Sequence, residues 1–210
     1  MKKYELTDDT ITVGSRILHR IKALKSFSDV EEGELGGYVE RDNLDHSGEA
    51  WVSGNARVYG NAWVYGDAWV YGDARVSGDA RVYGNARVSG NARVYGDARV
   101  SGDARVYGNA WVYGDAWVYG DARVSRDARV SGDARVSGEN DYAAAKGFGR
   151  EYRTTTFFRL QDGGIGVRCG CFCGTLEEFR EKVKETHKES KMGKEYLMLA
   201  DLMEYKFKNA

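Results

Sequence analysis

The 210-residue sequence contains no proline, so no position is barred from a backbone ladder by a missing N–H. It has only three cysteines, Cys169, Cys171 and Cys173, odd in number and crowded into five residues, which excludes a disulfide framework and fits a reducing compartment. No apolar run approaches the ~20 residues that cross a bilayer, and the opening Met1-Lys2-Lys3-Tyr4-Glu5 lacks the apolar stretch of a signal peptide. The expectation is a cytoplasmic protein with no membrane partner. A strong charge of either sign is also missing. Residues 1–48 carry 7 Lys/Arg against 10 Asp/Glu, residues 49–140 carry 11 against 11, and residues 141–210 carry 13 against 11. A domain that holds nucleic acid by its phosphates shows a clear positive excess, so non-specific nucleic-acid binding is not expected.

Glycine, in contrast, is abundant at 27 residues, which points to periodic turns. From Val52 to Val136 a valine returns every sixth residue, fifteen times, each with an alanine two positions earlier. The unit reads Ala, Arg or Trp, Val, Tyr or Ser, Gly, Asp or Asn. In an extended Ala-x-Val-x segment the alanine and valine share one face, and Gly-Asp or Gly-Asn turns the chain. So short a strand cannot seal a core by itself; it stacks on copies of itself, giving a parallel β-helix with coils ~4.8 Å apart.

These residues resemble the hexapeptide-repeat, left-handed parallel β-helix family. The resemblance implies a left-handed triangular prism with three hexads per coil, so that the fifteen hexads make about five coils. On that spacing the residues before valine fall into three columns: Trp51, Trp69, Arg87, Arg105, Arg123; then Arg57, Arg75, Arg93, Trp111, Arg129; then Trp63, Arg81, Arg99, Trp117, Arg135. Such ladders stabilise the coil by packing on neighbours, and they also suit recognition, because Trp, Tyr and Arg are the types enriched at binding hot spots. Arg57, Arg87 and Arg93 follow Asn where their siblings follow Asp, which singles them out as candidate anion binders. Trp63, Trp69, Trp111, Trp117, Tyr113 and Tyr119 are the aromatic candidates. Arg126 stands where the other fourteen repeats have the turn glycine.

Both ends read as covers for the stack. Residues 1–48 form an N-terminal β cap, with Thr10–Val13 and Arg16–Ile21 as strands around Gly14-Ser15, and Leu44 and Ala50 begin the stack irregularly. Residues 49–140 are the β-helix, 141–150 a linker, and 151–210 a small α+β unit of ββαα order. In that unit Thr154–Leu160 and Ile165–Phe172 form a hairpin across Gln161–Gly164. Thr175 and Glu178 form a capping box, Leu176, Phe179 and Val183 line the first helix, and a second helix over 194–207 offers Leu197, Leu199, Leu202 and Met203 to the core. The fold class is therefore mainly β, a left-handed β-helix with a β cap and a C-terminal α+β domain. The segment Gly170-Cys171-Phe172-Cys173-Gly174-Thr175-Leu176-Glu177-Glu178-Phe179 is similar to the ends of phage and prophage hexapeptide-repeat proteins of unknown function.

That resemblance implies a non-catalytic binding or scaffold protein, phage-related, that engages a host or viral macromolecule through the Arg/Trp/Tyr ladders or the C-terminal domain, inhibition of a bacterial defence system being one role that would suit it. Enzymes of the hexapeptide family transfer acyl groups with histidines, and the fifteen repeats contain none; His19, His46 and His187 lie outside them. The alternatives are a sponge for nucleotide-type ligands, an acyltransferase-like enzyme, and a structural spacer or homo-oligomeric assembly subunit. No cofactor is expected. Alternation along one strand would place Cys169, Cys171 and Cys173 on one face, where with His187 they could hold zinc; small residues buried beneath a helix is the simpler reading.

Overall fold

A computed structural model describes residues 2–149 and 151–209; Arg150, part of the expected linker, lies outside the described residues. Each repeat contributes a strand of only two residues, Arg-Val or Trp-Val, and the rest of the hexad forms the corner. Each strand pairs in parallel with the strand three hexads further on, as Arg87 does with Arg105 and Val88 with Val106. The result is a parallel β-solenoid with three sides. Side one carries Trp51, Trp69, Arg87, Arg105 and Arg123, side two Arg57, Arg75, Arg93, Trp111 and Arg129, and side three Trp63, Arg81, Arg99, Trp117 and Arg135. The columns expected from sequence are the columns observed.

All fifteen alanines and all fifteen valines of the array are completely buried. Small and branched side chains suit this narrow interior, because a coil with three short sides leaves room for little else. The corners bring backbones close together: a β-carbon on Gly78, at φ 71°, would lie 2.9 Å from the Gly96 nitrogen, so glycine is required for distance as well as for dihedral angle. Asn and Asp side chains form a second ladder outside the corners, with Asn61 Nδ2 donating to Asp79 Oδ1 at 2.9 Å and Asn109 to Asp127 at 3.1 Å.

The solenoid makes about six turns, one more than the fifteen hexads supply. The additional coil is irregular. Tyr38 pairs with Arg57 and Leu44 with Val64, both spaced wider than three hexads, before Trp51 and Trp69 settle into the regular register. The Asn43 amide fills the resulting gap in the ladder, donating to Ala62 O at 2.8 Å and Gly60 O at 3.3 Å. Elsewhere such carbonyls accept from a backbone N–H of the preceding coil, as Ala80 does from Trp63.

A hairpin of β1 (Tyr4–Val13) and β2 (Arg16–Ala23) extends side two through β3 (Leu35–Val39), giving an eight-stranded sheet. Its base covers the open end of the first coil. Gly66 O and Ala68 O accept from the N–H groups of Ala50 and Trp51, but the equivalent carbonyls one coil earlier, Gly48 O and Ala50 O, face no backbone donor among the described residues. The fully buried Lys3 supplies both hydrogen bonds, each at 2.8 Å, with its ammonium 5.0 Å from the Phe27 ring centre. Burial pushes the pKa of the Lys3 ammonium down to about 8, with Asp45 opposing the shift. Trp51 is completely buried against Phe27 and Tyr4, and the Tyr4 hydroxyl bonds Asp42.

The other end is closed by a four-stranded antiparallel sheet of Tyr142–Ala145, Thr155–Arg159, Ile165–Cys169 and Phe172–Thr175, in that spatial order. The stretch read as a linker thus contributes a strand, and the C-terminal sheet holds four strands where two were expected. Polar side chains replace the missing next coil: Arg129 N–H donates to Thr156 Oγ1 at 3.0 Å and Ser137 N–H to Asp141 Oδ2 at 2.9 Å. Two helices, α1 (Leu176–His187) and α2 (Lys191–Lys208), back the sheet, and α1 begins at the expected Thr175–Glu178 capping box. Leu176, Phe179, Val183, Leu199 and Met203 are buried as expected, whereas Leu202 is 57% exposed because it lies on the outer face of α2 with Met198 and Tyr205.

Candidate functional site

The arginines of the array share one electrostatic property. Among the described residues the ion-paired arginines are Arg16, Arg20, Arg159 and Arg180, all outside the array, so no array guanidinium has a carboxylate oxygen within 4.0 Å. This corrects the expectation that Asp neutralises most repeat arginines and that Arg57, Arg87 and Arg93 are exceptional for following Asn. The strand is only two residues long, so the Asp or Asn two positions earlier belongs to the corner and bonds along the corner ladder instead.

What distinguishes the arginines is their aromatic surroundings. On side two Trp111 is sandwiched, with the Arg93 guanidinium 4.7 Å and the Arg129 guanidinium 4.9 Å from its ring centre. Beside it Tyr95 and Tyr113 stack in parallel at 5.0 Å, and Arg168 of the C-terminal sheet reaches over Tyr113 at 5.9 Å. Burial raises the pKa of the Tyr95 phenol, with Tyr113 adding to the shift and Arg129, Arg168 and Arg93 opposing it. Three candidates named from sequence, Arg93, Trp111 and Tyr113, therefore meet here. Arg129, Tyr95 and Arg168 join them and were not singled out. Arg57 lies half-buried on the same side, two coils from Arg93.

Side three uses its rings internally. Trp117 donates through Nε1 to Ser101 Oγ at 2.9 Å and leans on Tyr119 at 4.8 Å, while Tyr65 and Tyr83 stack at 4.8 Å. Trp63, 39% exposed, stands at the other end of this side. On side one Trp69 is half-buried and packs on the core. Below it follow Arg87, Arg105 and Arg123, three exposed arginines in successive coils. No aromatic ring covers any of the three guanidiniums among the described cation–π pairs, which use Arg93 and Arg129 from the array. Two adjoining grooves run along this side. One of about 240 Å³ is lined by Tyr71, Arg87, Arg105, Tyr107 and Arg123, and the other, of about 300 Å³, by Trp69, Tyr71 and Arg87 with Ser28, Asp29 and Ser53. Of the sequence candidates Arg87 and Trp69 lie here; Arg105, Arg123, Tyr71 and Tyr107 were missed, although the columns counted by three hexads already contained the run of three arginines.

The cysteines do not share a face. A turn at Gly170-Cys171, with Gly170 at φ 60°, separates two antiparallel strands and pairs Cys169 with Phe172 and Arg168 with Cys173. Paired residues point the same way, so Cys169 faces the helices with Phe172, and Cys173 faces the solenoid with Arg168. Cys169 Sγ lies 3.2 Å from Thr155 Oγ1 and Cys173 Sγ 3.6 Å from Ser131 Oγ. Cys171 and Cys173 are exposed and Cys169 is half-buried, so the expectation of small residues buried beneath a helix is corrected, because Cys171 lies at the turn and Cys173 on the outer strand of the sheet. His187 leans on Tyr196 at 5.6 Å. All four line a groove of about 510 Å³, but among the described residues no three His, Cys, Asp or Glu side chains gather as a metal-binding group. His46 stacks on Tyr4 and accepts the Lys3 N–H, and His19 contacts Thr7 O at 3.0 Å, so both serve the cap.

Fold and surface together define a repeat β-solenoid protein with capped ends. Eight segments, residues 50–66, 68–84, 80–96, 86–102, 92–108, 98–114, 104–120 and 116–132, each match the family model described as the YdcK beta solenoid repeat. No curated protein matches the chain. Among the described residues no helix is long and apolar enough to cross a membrane.

Proposed function

We propose that the chain is a non-catalytic binding protein that engages an acidic protein partner through side one. The run of Arg87, Arg105 and Arg123, exposed in successive coils with no ion-paired carboxylate or covering ring among the described residues, is the observation that carries this reading. Like charges ~4.8 Å apart repel and need a rigid frame to hold them together. Here the frame is the buried Ala/Val stack, so the arginines are in place before a ligand arrives and less ordering entropy is lost on binding. Alternate side chains of an extended peptide lie ~6.8 Å apart, so two carboxylates fit along the ~10 Å spanned by three arginines. Trp69, Tyr71 and Tyr107 add apolar area of the kind found at hot spots. Balanced charge over residues 49–140 makes the patch local, which favours a short acidic segment over a nucleic-acid backbone.

The test is fluorescence anisotropy with a labelled Asp/Glu-rich peptide at low salt. Wild type and an Arg81→Glu, Arg99→Glu control on side three bind, and an Arg87→Glu, Arg105→Glu, Arg123→Glu variant binds at least about tenfold more weakly. Equal weakening by the control, or no binding by wild type, rejects the reading.

A further inference from the structure

In every repeat the residue after valine is tyrosine or serine, and where tyrosines fall in successive coils their rings can stack on the coil spacing. Tyr65 and Tyr83 lie 4.8 Å apart and 3° from parallel, and Tyr95 and Tyr113 lie 5.0 Å apart and 1° from parallel. A serine in such a column leaves a ring-sized gap, and the chain turns rings of its own to two of these gaps. Trp117 reaches Ser101, donating to its Oγ at 2.9 Å. Half-buried Tyr142 of the C-terminal sheet reaches Ser125: burial raises the pKa of its phenol, a hydrogen bond with Ser125 opposes the shift, and the Tyr107 phenol adds to it.

Ser89 on side one is different. The ladder places Tyr71, Ser89 and Tyr107 in successive coils, their N–H groups donating to Val88 O, Val106 O and Val124 O. Tyr71 and Tyr107 therefore stand two coils apart, ~9.6 Å along the axis, and both are exposed, at 38% and 40%. Among the described residues the ring pairs of the repeats are Tyr65–Tyr83, Tyr95–Trp111, Tyr95–Tyr113 and Trp117–Tyr119, so neither Tyr71 nor Tyr107 has a ring against it. Together with Ser89 they line the groove of about 240 Å³ that Arg87, Arg105 and Arg123 also line. A planar ring at Ser89 would lie ~4.8 Å from each phenol, the separation seen between Tyr65 and Tyr83. Side two repeats the alternation at Ser77, but there Tyr95 is already stacked on Tyr113 and Arg93 is held on Trp111.

Resting on the reading of side one as the face for an acidic protein, we infer that the notch at Ser89 takes an aromatic side chain of that partner between Tyr71 and Tyr107. Two phenols held one ring apart forgo the stacking contact that Tyr65 and Tyr83 make, and a ligand ring restores it on both faces. Arg87 is level with the notch, and Arg105 and Arg123 lie one and two coils beyond it. At ~3.4 Å per residue of extended chain, carboxylates that meet them fall within about three residues of the ring. In the other direction the column has Trp69 in place of an arginine. The element recognised is thus a Phe, Tyr or Trp with acidic residues on one side of it. A nucleotide fits less well, because a phosphate needs donors that converge on it and these arginines are strung along the axis.

The experiment is fluorescence anisotropy of the full-length protein with two labelled peptides of equal charge. One carries a single phenylalanine beside a run of Asp and Glu, the other alanine at that position, and adenosine monophosphate serves as competitor. Wild type binds the phenylalanine peptide at least about fivefold more tightly, as two ring-stacking contacts provide. Ser89→Tyr fills the notch with the repeat's own residue. It brings the phenylalanine peptide to within about twofold of the alanine peptide, whose binding it leaves unchanged. Should Ser89→Tyr fail to fold, Tyr107→Leu, which keeps all three arginines, lowers the same preference. The nucleotide does not compete. Equal affinity of wild type for the two peptides overturns the notch and leaves side one as the face for an acidic partner, whereas failure of both peptides to bind removes that face and the notch with it. A preference that survives both variants puts the ring elsewhere, and competition by the nucleotide that Ser89→Tyr abolishes gives the notch to a nucleobase; either result overturns the assignment.

Discussion

Phe157 and Phe158 are neighbours on one strand and belong to different cores. Phe158 packs with Leu160 and Tyr142 against the alanines and valines at the end of the solenoid, and Phe157 meets Phe179 edge-on at 6.2 Å beneath the helices. Two adjacent residues on opposite faces of a strand thus join the plug to the domain that carries it.

Removing that plug has two expected effects. Phe158→Ala lowers stability by about 3–5 kcal/mol, the usual cost of emptying a buried aromatic site, measured by urea denaturation. Phe158→Asp also uncovers the strand edges of the last coil, so sedimentation velocity shows concentration-dependent association where wild type shows none. An unchanged urea midpoint in Phe158→Ala contradicts the plug.

At the opposite end the Lys3 ammonium, its pKa lowered from 10.5 to about 8 by burial against the opposing pull of Asp45, makes stability depend on pH. Between about 8 and 10.5 the unfolded chain keeps a proton that the folded chain has released, so the unfolded state binds more protons and stability rises with pH across that window. The neutral amine still has two N–H donors for Gly48 O and Ala50 O, so the end cap survives deprotonation. Urea midpoints of wild type should gain on those of Lys3→Met between about pH 7.5 and 9.5, and parallel curves would show that Lys3 does not titrate there.

Arg126 occupies a corner at φ 60° where the other repeats have glycine. A left-handed conformation costs an L-residue about 1–2 kcal/mol, partly returned by the smaller entropy of its unfolded state. Arg126→Gly is expected to stabilise the protein by up to about 1 kcal/mol in urea denaturation; destabilisation would mean that the Arg126 side chain holds the last coils together.

Aromatics already spent on stability should differ from side chains left free. Trp111→Ala, which removes the ring between Arg93 and Arg129, is expected to cost about 2–4 kcal/mol. Arg105→Ala, at an exposed position without an ion-pair partner among the described residues, should stay within about 0.5 kcal/mol of wild type. Thermal denaturation of both variants checks the division of labour between sides two and one, and a large loss in Arg105→Ala would place that arginine among the structural ones.

The regular coils were legible because every third hexad lands on the same side, so counting three hexads on from Trp51 or Arg57 gives the observed neighbours. The first coil was not, because Tyr38 and Leu44 are spaced from their partners more widely than three hexads and depend on the Asn43 side chain for missing hydrogen bonds. Nor was the placement of the cysteines, since the turn at Gly170-Cys171 interrupts what reads as one apolar strand. Arg87 was singled out as a candidate for following Asn85, but among the described residues no array arginine is ion-paired, whether it follows Asn or Asp. Its neighbour Asn85 matters less than the two arginines that follow it in the column. Arg168 could not be found at all, because its place over Tyr113 exists only once the C-terminal sheet has folded against side two.

The central claim is that side one meets the partner, and site-specific photo-crosslinking addresses it directly. A photoreactive phenylalanine is placed in turn at Tyr107 on side one, Tyr59 on side two and Tyr119 on side three, and the protein is irradiated in cells that contain the partner. Tyr107 is expected to capture one discrete acidic protein, lost on reversal of Arg87, Arg105 and Arg123, while the other two positions capture none. Capture of the same protein from Tyr59 or Tyr119 in place of Tyr107 would contradict the account.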